Sequence, residues 1–104
     1  MCIRDRYIIN LISETFGIKT NEWVTIRSRR YIYTIPRQVL MACLMDFLCY
    51  TNSQAGAVCF RDHATAYHSW RAVHETLLTD REYGESISYI YNHCNFVKNG
   101  TPIS

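Results

Sequence analysis

Asp62, His63, Ala64 and Thr65 head a stretch whose following residues divide into an apolar side and a polar side. Asp62 is suited to cap a helix by accepting backbone N–H bonds, and its charge complements the positive end of the helix dipole. Behind it Ala66, Trp70, Val73 and Leu77 fall at i, i+4, i+7 and i+11, an apolar stripe of helical period. The other side carries Ala64, Tyr67, His68 and Arg71, with Arg61 and His63 at the leading end. An imidazole and a carboxylate at a helix start can hydrogen-bond base edges, and the DNA major groove distinguishes all four base pairs. The chemistry on offer is groove reading rather than bond making.

Other chemistries fit less well. Cys43, Cys49, His63 and His68 approach a two-Cys, two-His zinc pattern, but the first gap is too wide and both cysteines fall in an apolar segment. No glycine-rich elbow or acid partner frames a cysteine–histidine pair as a nucleophile, so neither enzyme activity nor a metal or other cofactor is expected. No Gly-x-x-x-x-Gly-Lys-Thr loop or other nucleotide-binding pattern is present, which leaves no ATPase in this chain.

Charge is placed unevenly. The net charge of +2 hides a basic middle, where Arg27, Arg29, Arg30, Arg37, Arg61 and Arg71 face only Asp46 and Asp62. That asymmetry suggests an anionic partner at one face. Arginines in the loop Arg27-Ser-Arg-Arg30 suit a narrow, electronegative minor groove. Arg37, near an expected helix N-terminus, would combine a cation with free N–H groups as a phosphate clamp.

The elements that must position these residues read as all-α. A helix is expected over 7–16, stopped by Gly17, then a short turn carrying Trp23, Val24 and Ile26. Tyr31–Ile35 reads as loop or helix lead-in, and Pro36 as the first turn of a central helix running to about Cys49. A short helix over 54–59 and the Asp62 helix form a pair of helix-turn-helix proportions at 53–78. Thr79 and Glu82 match a capping box that opens a last helix burying Tyr83, Ile87, Ile90, Tyr91 and Cys94. Residues 99–102 read as a turn and frayed end. The first six residues resemble a translated sequencing-adapter remnant, so 1–6 are set aside as non-native or linker, 7–96 as the domain and 97–104 as a tail. With 104 residues, one small helical bundle is expected. The five cysteines have no regular spacing, no signal peptide is evident and no run approaches the ~18 apolar residues of a membrane span. A soluble cytoplasmic protein with reduced thiols is the expectation.

Pro36-Arg-Gln38, Gly56, Arg61-Asp-His-Ala-Thr65, Ser69 and Val73 together resemble the C-terminal DNA-binding domain (domain IV) of the bacterial replication initiator DnaA. The resemblance runs from about Tyr7 to Cys94. It implies a Trp-repressor-like helix-turn-helix whose recognition helix enters the major groove of a short asymmetric box. Asp62 and His63 match the family's base-contacting Asp and His, and Ala64 stands where a Thr is usual. Thr65 matches a Thr that approaches the backbone, and Arg37 and Gln38 match phosphate-contacting residues. Arg29, counted back from that pair, matches the loop arginine that reaches the adjacent minor groove, with Arg27 and Arg30 beside it. Arg61, Tyr67, His68 and Arg71 are the remaining backbone or supporting positions. Three departures stand out. Ala64 keeps only a methyl, Cys59-Phe60 fills a shortened glycine-rich corner, and Tyr67 and Trp70 are bulkier than usual.

The resemblance implies double-stranded DNA as partner, replication initiation at an origin-like box, a nucleoid-associated location and contact with other replication proteins. Phage, plasmid or mobile-element proteins could carry such a module. The rival readings are a transcription-regulator or transposase-associated module at a non-origin site, and a helical adaptor whose basic face binds an acidic protein.

Overall fold

The computed structural model describes residues 3–28 and 30–98, and every regular element among them is helical. Five α-helices occur in order: α1 (Ile3–Phe16), α2 (Tyr31–Phe47), α3 (Asn52–Val58), α4 (His63–Glu75) and α5 (Gly84–Lys98). Short 3-10 turns at Glu22–Val24 and Leu77–Thr79 join them. The expected turn at 99–102 and the expected minor-groove residue Arg29 lie outside the described residues. None of the described helices is long and apolar enough to cross a membrane.

The first helix starts at Ile3 rather than Tyr7, with Asp5 buried and its Oδ1 accepting from Tyr50 Oη at 2.6 Å. Gly17, at φ 70°, ends it, and Ile18 N–H then reaches back to the Ser13 carbonyl at 2.8 Å. That six-to-one bond requires the left-handed residue between, which glycine supplies without a Cβ penalty. A short polar chain fixes the next turn: Trp23 Nε1 donates to Ser13 Oγ at 2.7 Å, and Ser13 Oγ donates to Asn21 Oδ1 at 2.7 Å. The Trp23 indole is thereby buried with its one donor satisfied.

The central helix differs most from expectation. Tyr31–Ile35 is its first turn, not a lead-in, and Pro36 is its sixth residue. Aromatic and β-branched side chains are modest helix formers, but burial of Ile35 and Pro36 overrides propensity. Pro36 lacks the N–H that would have met the Ile32 carbonyl one turn back. Beyond it Val39, Leu40, Met41, Ala42, Cys43 and Leu44 are all buried, so the helix is enclosed nearly all round. It touches α1, α3, α4, α5 and the first 3-10 turn.

Two further joints set the later helices. Thr51 and Gln54 form a reciprocal capping box at the start of α3, with bonds of 3.1 and 2.9 Å. The second box expected from Thr79 and Glu82 is absent. Asp80 takes its place, its Oδ2 accepting from the N–H groups of Glu82 at 2.8 Å and Tyr83 at 2.9 Å. A carboxylate one residue downstream supplied the same acceptor chemistry in better register, and α5 begins at Gly84.

Candidate nucleic-acid interface

Local sequence explains how α4 is presented. Asp62 has extended backbone at φ −83°, ψ 172°, and its Oδ1 accepts from Thr65 N–H at 2.8 Å. That bond holds the carboxyl below its usual range, with Thr65 the main cause and the His63 side chain a lesser one. Ala66, Ser69 and Val73 turn into the core. His63, Ala64, Thr65, Tyr67, His68 and Arg71 are exposed, so the face proposed from periodicity is a continuous outward one. Tyr67 lies 5.9 Å from the Arg71 guanidinium, and Arg71 Nε pairs with Glu75 at 3.0 Å.

The turn ahead of α4 is made of two unlike features. Gly56 on α3 admits no side chain, since a Cβ would stand 2.7 Å from the carbonyl oxygens of both Arg61 and Asp62. The two helices therefore meet backbone to backbone. Cys59 is buried, and burial pushes its thiol up to about 12. Phe60 takes the left-handed conformation that a glycine would adopt freely, at φ 55°, with its ring exposed.

Arg37 corrects the sequence reading. Instead of standing free at a helix start, it is the seventh residue of α2 and only 5% exposed. Its Nη1 donates to the carbonyls of Trp23 at 3.1 Å and Ile26 at 2.9 Å, and its Nη2 to the Ser28 carbonyl. Buried, and with both Nη groups engaged by Trp23, Ile26, Ser28 and Thr34, Arg37 cannot reach a phosphate, and α2 has no free N–H at that depth. Arg37 holds the basic loop in shape. Gln38, beside it, is half-buried.

Arg61 does related work from the other side. Its Nη1 donates to the Cys59 carbonyl at 2.9 Å and its Nη2 to the Ile26 carbonyl at 2.8 Å. The loop and the corner before α4 are thus tied to each other. Between them opens a surface cleft of about 550 Å³ lined by Arg27, Ser28, Thr34, Arg37, Phe60 and Arg61. Arg27 and Arg30 are exposed, and among the described residues none of Arg27, Arg30, Arg37 and Arg61 pairs with a carboxylate. Arginines gathered without acids make this surface electropositive.

Sequence reasoning placed Phe60 in the corner and Ser28 in the basic loop without joining them and the loop carbonyls into one cleft, and it counted Asp46 only as an acid of the basic middle. The Asp46 carboxylate accepts from Trp70 Nε1 at 2.8 Å, Tyr91 Oη at 2.7 Å and His74 Nε2 at 2.6 Å. It locks α4 and α5 onto α2, beneath the outward face. Cys43 is wholly buried against Cys94, and its thiol is pushed well up by burial and by that neighbour. Among the described residues no three His, Cys, Asp or Glu side chains gather as a metal site. No family model, curated protein or solved structure shows significant similarity to the chain.

Proposed function

We propose that this chain binds double-stranded DNA in a sequence-dependent way, as a module of the DnaA C-terminal type. In this reading α4 lies in the major groove, with Asp62, His63 and Ala64 at base edges and Thr65 near the backbone. The loop 25–30 reaches the neighbouring minor groove through Arg29, flanked by Arg27 and Arg30. Tyr67, His68 and Arg71 border the groove, and Arg61 faces the strand at its rim. Gln38 is the remaining backbone contact, while Arg37 acts through the loop that it shapes. The site would be an origin-like box at the nucleoid, and other replication proteins would be the further partners.

One observation carries the reading. The corner leading into the exposed polar face of α4 is tied to the arginine-lined cleft through the Ile26 carbonyl, so the two adjoin on one surface. Such a combination suits a ligand that is uniformly anionic yet carries sequence in a groove. Its test is selection of bound duplexes from a random pool, and then titration of the recovered sequence and a shuffled control. Recovery of a short asymmetric consensus bound at least about a hundredfold above the control is the expected result. No enrichment, together with salt-sensitive binding to an acidic polypeptide, would favour the adaptor reading instead.

A further inference from the structure

Phe60 is the most exposed large apolar side chain among the described residues, at 74%, and it also holds a left-handed backbone at φ 55°. Folding gains from neither property. Glycine would take the same φ without strain, and a ring left in water contributes no burial. The backbone there is nonetheless held firmly. Phe60 N–H bonds to the Ala57 carbonyl at 3.1 Å, and Arg61 N–H bonds to the Gly56 carbonyl at 2.8 Å. The ring shares its cleft with Arg27, Arg37 and Arg61, which no carboxylate neutralises among the described residues. A flat apolar group beside uncompensated guanidinium groups matches one repeating unit of a nucleic-acid strand, which offers an apolar sugar face next to an anion.

We infer that this cleft takes one nucleotide of the duplex backbone beside the recognised box, with Phe60 packed on the deoxyribose and Arg27 and Arg61 facing its phosphate. The inference rests on the duplex-binding reading above and adds to it an anchor that reads no base. Position supports it. When the N-terminus of a recognition helix enters the major groove, the corner just ahead of its cap passes the strand at the groove's rim. The Ile26 carbonyl that accepts from Arg61 Nη2 immediately precedes Arg27, so the corner and the basic loop line one cleft together.

Phe60→Gly and Phe60→Leu test this, using the full chain with the duplex that wild type selects from a random pool and an unselected duplex of equal length. Phe60→Gly is expected to melt no lower than wild type, because glycine suits this φ. Its Kd should rise about tenfold on both duplexes, with base preference intact and Phe60→Leu recovering part of the loss. The slope of binding against salt should not change, since no cation is removed. Binding by Phe60→Gly equal to wild type overturns the inference, as does a loss confined to one base position. A wild-type dimer that Phe60→Gly dissolves without altering DNA affinity overturns it too, by assigning the ring to a second copy of the chain. Failure of wild type to bind any duplex defeats the underlying reading as well, and so is told apart from failure of the Phe60 anchor alone.

Discussion

Arg37 and Arg61 donate to the same oxygen, the carbonyl of Ile26, at 2.9 and 2.8 Å. Two cations converge there with no carboxylate between them. Burial, and next the Arg61 charge, hold the Arg37 pKa below its ordinary value. The arrangement survives because the carbonyls of Trp23, Ser28 and Cys59 turn their negative ends toward the pair. Its consequence is mechanical. The loop that bears Arg27 and Arg30 is hydrogen-bonded to the corner that leads into α4.

Arg37→Lys and Arg27→Ala should therefore separate shape from charge. Lysine keeps the positive charge but cannot serve several carbonyls at once. Arg37→Lys is expected to cost about 2–3 kcal/mol of stability through unsatisfied buried carbonyls, seen as a lower urea midpoint. Arg27 is exposed, so Arg27→Ala should leave the midpoint in place. It should instead weaken binding to all duplexes and flatten the salt dependence by about 0.9 in log–log slope, one phosphate contact. An Arg37→Lys protein of wild-type stability would remove the loop-shaping role.

Gly56→Ala tests the backbone contact beneath the corner. The added methyl would stand 2.7 Å from two carbonyl oxygens, which are not free to move like a side-chain tip. About 1–3 kcal/mol should be lost by overpacking. Because α4 must shift to make room, sequence discrimination should fall further than non-specific affinity. Chemical denaturation and paired titrations on selected and shuffled duplexes measure the two effects.

The contrast between Gly56 and Arg37 shows what sequence could disclose. The α4 face was legible because Ala66, Trp70 and Val73 repeat with helical period and Asp62 marks the start, and both signals are local. Central burial of α2 was legible for the same reason. Arg37 was misread because its partners are backbone carbonyls, which have no residue identity to find in a sequence. The start of α2 was misread because Tyr31-Ile-Tyr-Thr-Ile35 is locally strand-like, and only the packing around Ile35 decides for helix. Asp80 displaced the expected Thr79 cap because neighbouring residues offered equivalent acceptors one register apart. The bonding role of Asp46 escaped notice because its three donors come from positions far apart in the chain.

The Asp46 cluster should behave as a unit. Tyr91→Phe deletes one donor and almost no volume and should cost about 1 kcal/mol, while Trp70→Phe also removes part of the indole and should cost more. Combined, the two should deviate from additivity by about 0.5 kcal/mol or more, since both bond one carboxylate. Burial is the main cause raising the Tyr91 hydroxyl pKa above its ordinary value, with Cys43 and Asp46 adding to it. A raised pKa means that the stability from this hydroxyl is present below the ordinary tyrosine range and is lost as pH climbs past it. In an alkaline titration monitored by tyrosinate absorbance, Tyr91 should ionise only together with unfolding. Tyrosinate formation at this residue in folded protein would contradict the geometry.

The cap of α4 gives a pH signature at the other end of the scale. Thr65 N–H holds the Asp62 carboxyl below its usual range, so its stabilising effect is full above the unfolded carboxylate pKa and fades as pH falls through the lower, folded value. Asp62→Asn retains a capping oxygen but removes the charge. It should flatten that part of the acid side of the stability curve. His63→Ala, at the first position of the same helix and exposed, should leave the urea midpoint near neutral pH unchanged. On the selected duplex it should lose about 1–3 kcal/mol of affinity and relax discrimination at one base position. Equal losses on selected and shuffled duplexes would move His63 from base reader to backbone contact.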